Sequence, residues 1–105
     1  MVKYHFILFI TSVKENNRSE ILIKTIESPV RPFKGDIVDD PGFLPAFHNG
    51  YEVVKVTLNY ELEEGWVSLS PLDPEKQEIE LDTYVERLKA NGWRVVSKEE
   101  IRKMH

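Results

Sequence analysis

The sequence predicts a β-rich α+β fold: a small antiparallel barrel or roll, followed by a C-terminal helix and a short terminal helix. Three observations carry this expectation. Apolar stretches of period two alternate with turn residues about every ten positions through the first two-thirds of the chain. A single stripe of helical spacing, Leu81, Tyr84, Val85 and Leu88, follows them. The 105 residues contain no repeat, linker or low-complexity block, so residues 1–105 form one domain.

The elements follow in order. In residues 3 to 13, KYHFILFITSV, one face carries Tyr4, Phe6, Leu8 and Ile10 and the other carries Ile7, Phe9 and Val13. A strand apolar on both faces must be central or covered on both sides, by the chain itself or by a second copy at a dimer seam. Asn16 and Asn17 tolerate positive φ, so KENNRSE turns the chain and EILIKTIES returns as the second strand of a hairpin. Pro29 and Pro32 cannot donate to a ladder and place the next stretch at an edge or corner. Gly35 permits a tight turn, and DIV begins a short third strand.

YEVVKVTLNYEL is a long fourth strand. Its alternation predicts Val54, Val56, Leu58 and Tyr60 on the buried face. WVSLS returns as the fifth strand with Val67 and Leu69 inward. Residues 72 to 81 support helix or strand equally: Asp73 and Pro74 suit a helix start, whereas Ile79 and Leu81 alternate. Asp82 is the expected cap of the main helix, Gly92 its left-handed stop, and Trp93 packs back on its last turn. WRVV makes a final strand. Ser97 and Glu100 then form a capping box for a last helix reaching Met104.

Composition narrows the function. Apolar residues at 41 % and charged residues at 30 % exclude a disordered tail and a membrane protein, and no run approaches the ~20 apolar residues of a span. The apolar run Phe6–Ile10 ends at Thr11 and Ser12, and KENNRSE offers no small-residue cleavage site, which argues against a secretory signal. Without cysteine there is no disulfide, thiolate metal site or thiol nucleophile, and a cytoplasmic location is expected. A net charge of −4 argues against a broad nucleic-acid surface. What remains for one is Lys24, Arg31, Lys34 and Lys55, with Phe33 or Trp66 for stacking.

The candidate site is the loop DDPGFLPAFHNGYE, residues 39 to 52. Two readings of it stand. In one, Phe43, Leu44 and Phe47 fold inward and plug the barrel as a lid. In the other, Asp39, Asp40, Phe43, Phe47, His48 and Tyr51 form a binding surface for a basic or proline-rich peptide. His48 beside Asp39 and Asp40 is also the one arrangement that suits a general base or a hydrated metal ion. No elbow serine, phosphate loop or metal-ligand spacing supports it, so neither catalytic residue, metal nor cofactor is expected.

KGDIV, a loop, then YEVVKV and GWVSL resembles small barrel proteins of SH3-like type in bacteria and phages. There, too, a glycine turn precedes a short strand, a variable loop intervenes and a meander follows. The resemblance covers residues 34–70. Together with the candidate loop, the expected function is a small non-catalytic accessory module of bacterial or phage origin that binds a protein partner, and the two-faced first strand makes a homodimer one form of partnership. A nucleic-acid-associated small barrel is the alternative, and a small hydrolase or metal-dependent enzyme using His48 is the third.

Overall fold

The computed structural model describes residues 2–12, 18–43, 50–71, 81–97 and 99–100. The elements are β1 (Val2–Ser12), β2 (Arg18–Ser28), β3 (Ile37–Val38), β4 (Tyr51–Asn59), β5 (Glu64–Pro71), α1 (Leu81–Ala90) and β6 (Arg94–Val96). All six strands join one sheet in the order β3-β4-β5-β1-β2-β6, which curls into a half-barrel. The β-rich expectation holds at that level. The pairing is mixed rather than wholly antiparallel, because β1 and β5 run parallel, Tyr4 beside Gly65 and Leu8 beside Leu69. A parallel neighbour requires a long crossover, and the chain supplies it by passing through β2, β3 and β4 first.

The first hairpin forms as expected, in continuous register from Val2 opposite Ser28 to Ser12 opposite Arg18. Its turn residues Asn16 and Asn17 lie outside the described residues. β1 sits between β2 and β5, and each of its faces contributes to a buried cluster. Tyr4, Leu8 and Ile10 enter the main core with Leu22, Val53, Val67 and Leu69, and Tyr84, Val85 and Leu88 of α1 join the same core. On the opposite face Ile7 packs with Ile23 and Val96, against Ile21 and Trp66. Ile7 is thus buried within the chain, and of this face's apolar side chains on β1 it is Phe9 that stands exposed.

β4 departs from simple alternation. Val53 lies opposite Leu69 and Lys55 opposite Ser68, so Val54 is the extra residue of a β-bulge. One inserted residue flips every later side chain to the other face. Tyr51 and Val53 therefore point inward before the bulge, and Val56 and Leu58 after it, while Val54 and Tyr60 are exposed. This corrects the expected inward positions of Val54 and Tyr60.

The helix begins at Leu81, so Asp82 falls in its first turn, where a carboxylate favours the helix dipole, rather than at the cap. Its end follows expectation. Gly92 takes φ of 93°. The Gly92 N–H donates to Lys89 O at 3.3 Å and the Trp93 N–H donates to Leu88 O at 3.0 Å. These are the two bonds of a Schellman motif, and they throw the Trp93 ring back onto the core. The Glu100 N–H donates to Ser97 Oγ at 3.2 Å, the cap expected there, with residues 99 and 100 helical. Residues 72–80, which support helix or strand in the sequence, lie outside the described residues.

Candidate functional site

The start of the candidate loop is a knot centred on Asp40. Asp40, Pro41, Gly42 and Phe43 make a β-turn, with the Phe43 N–H donating to Asp40 O at 3.0 Å. The Asp40 carboxylate is then used three times. Oδ1 accepts from the Gly42 N–H at 2.8 Å and from the Trp93 indole N–H at 3.1 Å. Oδ2 accepts from Lys24 Nζ at 2.7 Å, and the Asp40 side chain is only 7 % exposed. Asp39 is exposed and its Oδ1 accepts from the Asp40 N–H at 2.9 Å. The knot ties the segment after β3 to β2 and to the start of β6, so it clasps the two edges of the half-barrel together.

Phe43 follows the clasp inward. It is buried, with its ring edge-on to Tyr51 at 4.6 Å between centroids and 5.7 Å from Trp93. Tyr51 is fully buried, and its hydroxyl meets that of Tyr84 at 2.7 Å. Burial pushes the Tyr51 phenol up to about 12, against the partly offsetting hydrogen bond with Tyr84. Among the six candidate residues the structure thus joins Asp40, Phe43 and Tyr51 in one packed cluster and leaves Asp39 at the surface. Phe47 and His48, together with Leu44, lie outside the described residues. A docking surface needs accessible rings, and those of Phe43 and Tyr51 are core.

A cavity of about 300 Å³ borders the clasp on its outer side, lined by Asp39, Asp40, Pro41, Phe43 and Arg87. Arg87 Nη2 donates to Pro41 O at 3.3 Å there. A larger groove of about 370 Å³ opens beyond the clasp. Tyr4 and Phe6 line it from β1, Ile26 from β2, and Ile37 and Val38 from β3. β3 and β2 stand four places apart in the sheet order, and only the curl brings them to one groove. Exposed apolar side chains line it, Val30 at 72 %, Ile37 at 51 % and Ile26 at 37 %, and Phe33 beside Pro32 in sequence is also exposed. The Arg31 guanidinium lies 4.5 Å from the centroid of the Phe33 ring.

Sequence reasoning read residues 29–36 as an edge or corner with a glycine turn, named Arg31, Phe33 and Lys34 only as possible nucleic-acid contacts, and missed this groove. The signal was PVRPF, where two prolines hold apolar and aromatic side chains in a segment that cannot join a ladder.

Other chemistry is weaker. His5 Nδ1 lies 2.7 Å from Thr25 Oγ1, and His5 Nε2 lies 3.5 Å from Glu64 Oε1. These are cross-strand neighbours, brought together by the pairing of His5 with Thr25 and Trp66. Among the described residues no group of three or more histidines and carboxylates is placed to hold a metal ion. Of the basic residues considered for nucleic acid, Lys24 is engaged by Asp40. No helix among the described residues is long and apolar enough to cross a membrane. The sequence matches no protein-family model, and no curated protein or solved structure matches it either.

Proposed function

We propose that the chain is a small, non-catalytic interaction module that binds a protein partner through the groove at the open end of the half-barrel. One observation carries this reading: Ile26, Val30 and Ile37 stand exposed together around a concave apolar floor. An apolar patch of this kind, rimmed by charge, is a feature of interaction sites. Arg31, which lines the groove, pairs with no carboxylate among the described residues, so the rim favours a partner that brings an acidic residue beside its apolar ones. The β3–β4–β5 meander supports the SH3-like reading of residues 34–70. Phe43 and Tyr51 are buried in this chain, which favours the groove over these two loop residues as the binding surface. A cytoplasmic setting accords with the absence of cysteine.

The test compares proteins retained from a lysate of the source cells by the wild-type chain and by a Val30→Asp, Ile37→Asp variant. Both replaced side chains are at least half exposed, so the variant is expected to melt with the wild type. A protein held by the wild type and lost by the variant supports the reading. Identical retention by both refutes the groove as the binding surface.

A further inference from the structure

The groove has a second property that the apolar rim does not explain. Among the described residues its β2 wall is an open sheet edge. β6 pairs with β2 only at Ile21, Leu22 and Ile23. β2 itself continues to Ser28, and among the described residues no strand pairs with it beyond Ile23 on that side. The stretch Thr25–Ser28 therefore presents a row of backbone N–H and C=O groups to the seam, about 3.3 Å of edge per residue. Natural sheets cover or disrupt such edges, and here the outermost strands β3 and β6 are short, two and three residues long.

We propose that the groove accepts an extended peptide segment that adds as a strand to the β2 edge from Thr25 to Ser28 and brings an acidic residue to Arg31. The inference rests on the interaction-module reading and names the form its partner takes. Three features of the seam argue for an extended chain. The new strand continues the edge that β6 already uses, so the partner extends an existing ladder. The Lys24–Asp40 clasp closes the seam immediately next to the free stretch, so the open edge has a fixed start and the added strand a fixed register. Ile26 projects from that edge into the groove opposite Ile37 and Val38, over Tyr4 and Phe6. Alternate side chains of an added strand would enter the groove, and those between would face away.

The dimensions agree. About 370 Å³ lies at the small end of ligand pockets, which span about 300–1,000 Å³. That holds a few side chains of a strand rather than a large cofactor. A four-residue edge is also small against the ~1,200 Å² or more that a stable protein dimer buries, which favours a peptide segment over a second copy. Charge completes the specification. Arg31 lines the groove without a carboxylate partner among the described residues, and Asp36, which also lines it, accepts from the Phe33 N–H at 2.8 Å.

The experiment uses the full chain and a displayed library of random peptides of about twelve residues, the length of one strand with flanks. The strongest binder is synthesised in three forms: unmodified, and N-methylated at alternate amides in each of the two phases. N-methylation removes a donor without altering the side chains, and only one phase of a strand faces its partner's ladder. The expected result is an acidic, alternating apolar peptide whose affinity falls at least about tenfold in one phase and little in the other. Ile26→Lys and, independently, the more exposed Val30→Asp are each expected to weaken it by a similar factor. Loss on the groove variants with no effect of either N-methylated form overturns strand addition and leaves the groove as a binding surface. Binding that ignores both groove variants, or a selection yielding no binder, overturns the strand inference. The first of these also removes the groove. A wild-type dimer in light scattering that Ile26→Lys dissociates overturns it in favour of self-association.

Discussion

Replacing Asp40 tests whether the start of the loop is a clasp or a free binding surface. Its carboxylate accepts from Lys24 Nζ, the Trp93 indole N–H and the Gly42 N–H, and is almost wholly enclosed. Asp40→Ala leaves the Lys24 ammonium, 20 % exposed, without its counter-charge and strands the indole donor. Breaking a buried pair by removing one partner is worth about 3–5 kcal/mol, and the partial exposure of Lys24 moves this case to the lower end. An orphaned indole donor adds about 1 kcal/mol or more. The sum is roughly 4 kcal/mol, a large part of the ~5–15 kcal/mol that holds a small domain folded. Asp40→Asn keeps an oxygen for Trp93 and Gly42 and loses only the charge, so it is expected to cost about half as much.

The assay is urea denaturation of wild type, both Asp40 variants, Lys24→Met and the Lys24→Met, Asp40→Ala pair. Coupling between the two sites should be about 2 kcal/mol. Asp39→Ala, which removes one exposed acceptor, should stay within about 1 kcal/mol of wild type. If Asp40→Ala costs under about 1 kcal/mol, or if the double mutant shows no coupling, the clasp reasoning is wrong. Asp40 would then be a surface carboxylate available to a partner.

Three further outcomes follow from the same geometry. Phe43→Ala removes a ring packed between Tyr51 and Trp93 and should lower stability by about 3–5 kcal/mol with no change in solution mass; an unchanged melt would contradict the lid. The Tyr51 phenol keeps its proton to about 12 in the folded chain and loses it near 10 when unfolded. Between those values the unfolded state binds fewer protons, so stability must fall as pH rises, by about 2–3 kcal/mol across the window. Tyr51→Phe should flatten that decline, and an unchanged slope in alkaline denaturation would count against the buried phenol. The bulge predicts opposite outcomes at adjacent positions: Val53→Thr should destabilise by about 1–3 kcal/mol and Val54→Thr by less than about 0.5 kcal/mol. Equal losses in thermal melts would show that β4 runs without a register shift.

The local elements were legible because their information is local. The two-faced pattern of residues 3–13 required a central strand, and β1 lies between β2 and β5. The Leu81–Leu88 stripe and Gly92 located a helix and its stop, since period and φ > 0 belong to the chain itself. Alternation failed along β4 at one residue. A bulge is chosen by the partner strand: Val53 meets Leu69 and Lys55 meets Ser68, and no window of β4 alone contains β5.

The candidate site divides the same way. The sequence by itself determined that residues 39–52 carry an unusual load of aromatic, acidic and turn residues between two strands. Only the tertiary structure decided where they point. Asp40 finds Lys24 sixteen residues before it and Trp93 fifty-three residues after it. The groove joins Tyr4 and Phe6 to Ile37 and Val38 across a seam that exists only once the sheet has curled. Backbone periodicity is set by sterics within a few residues, whereas burial and ion pairing depend on which distant segments arrive together.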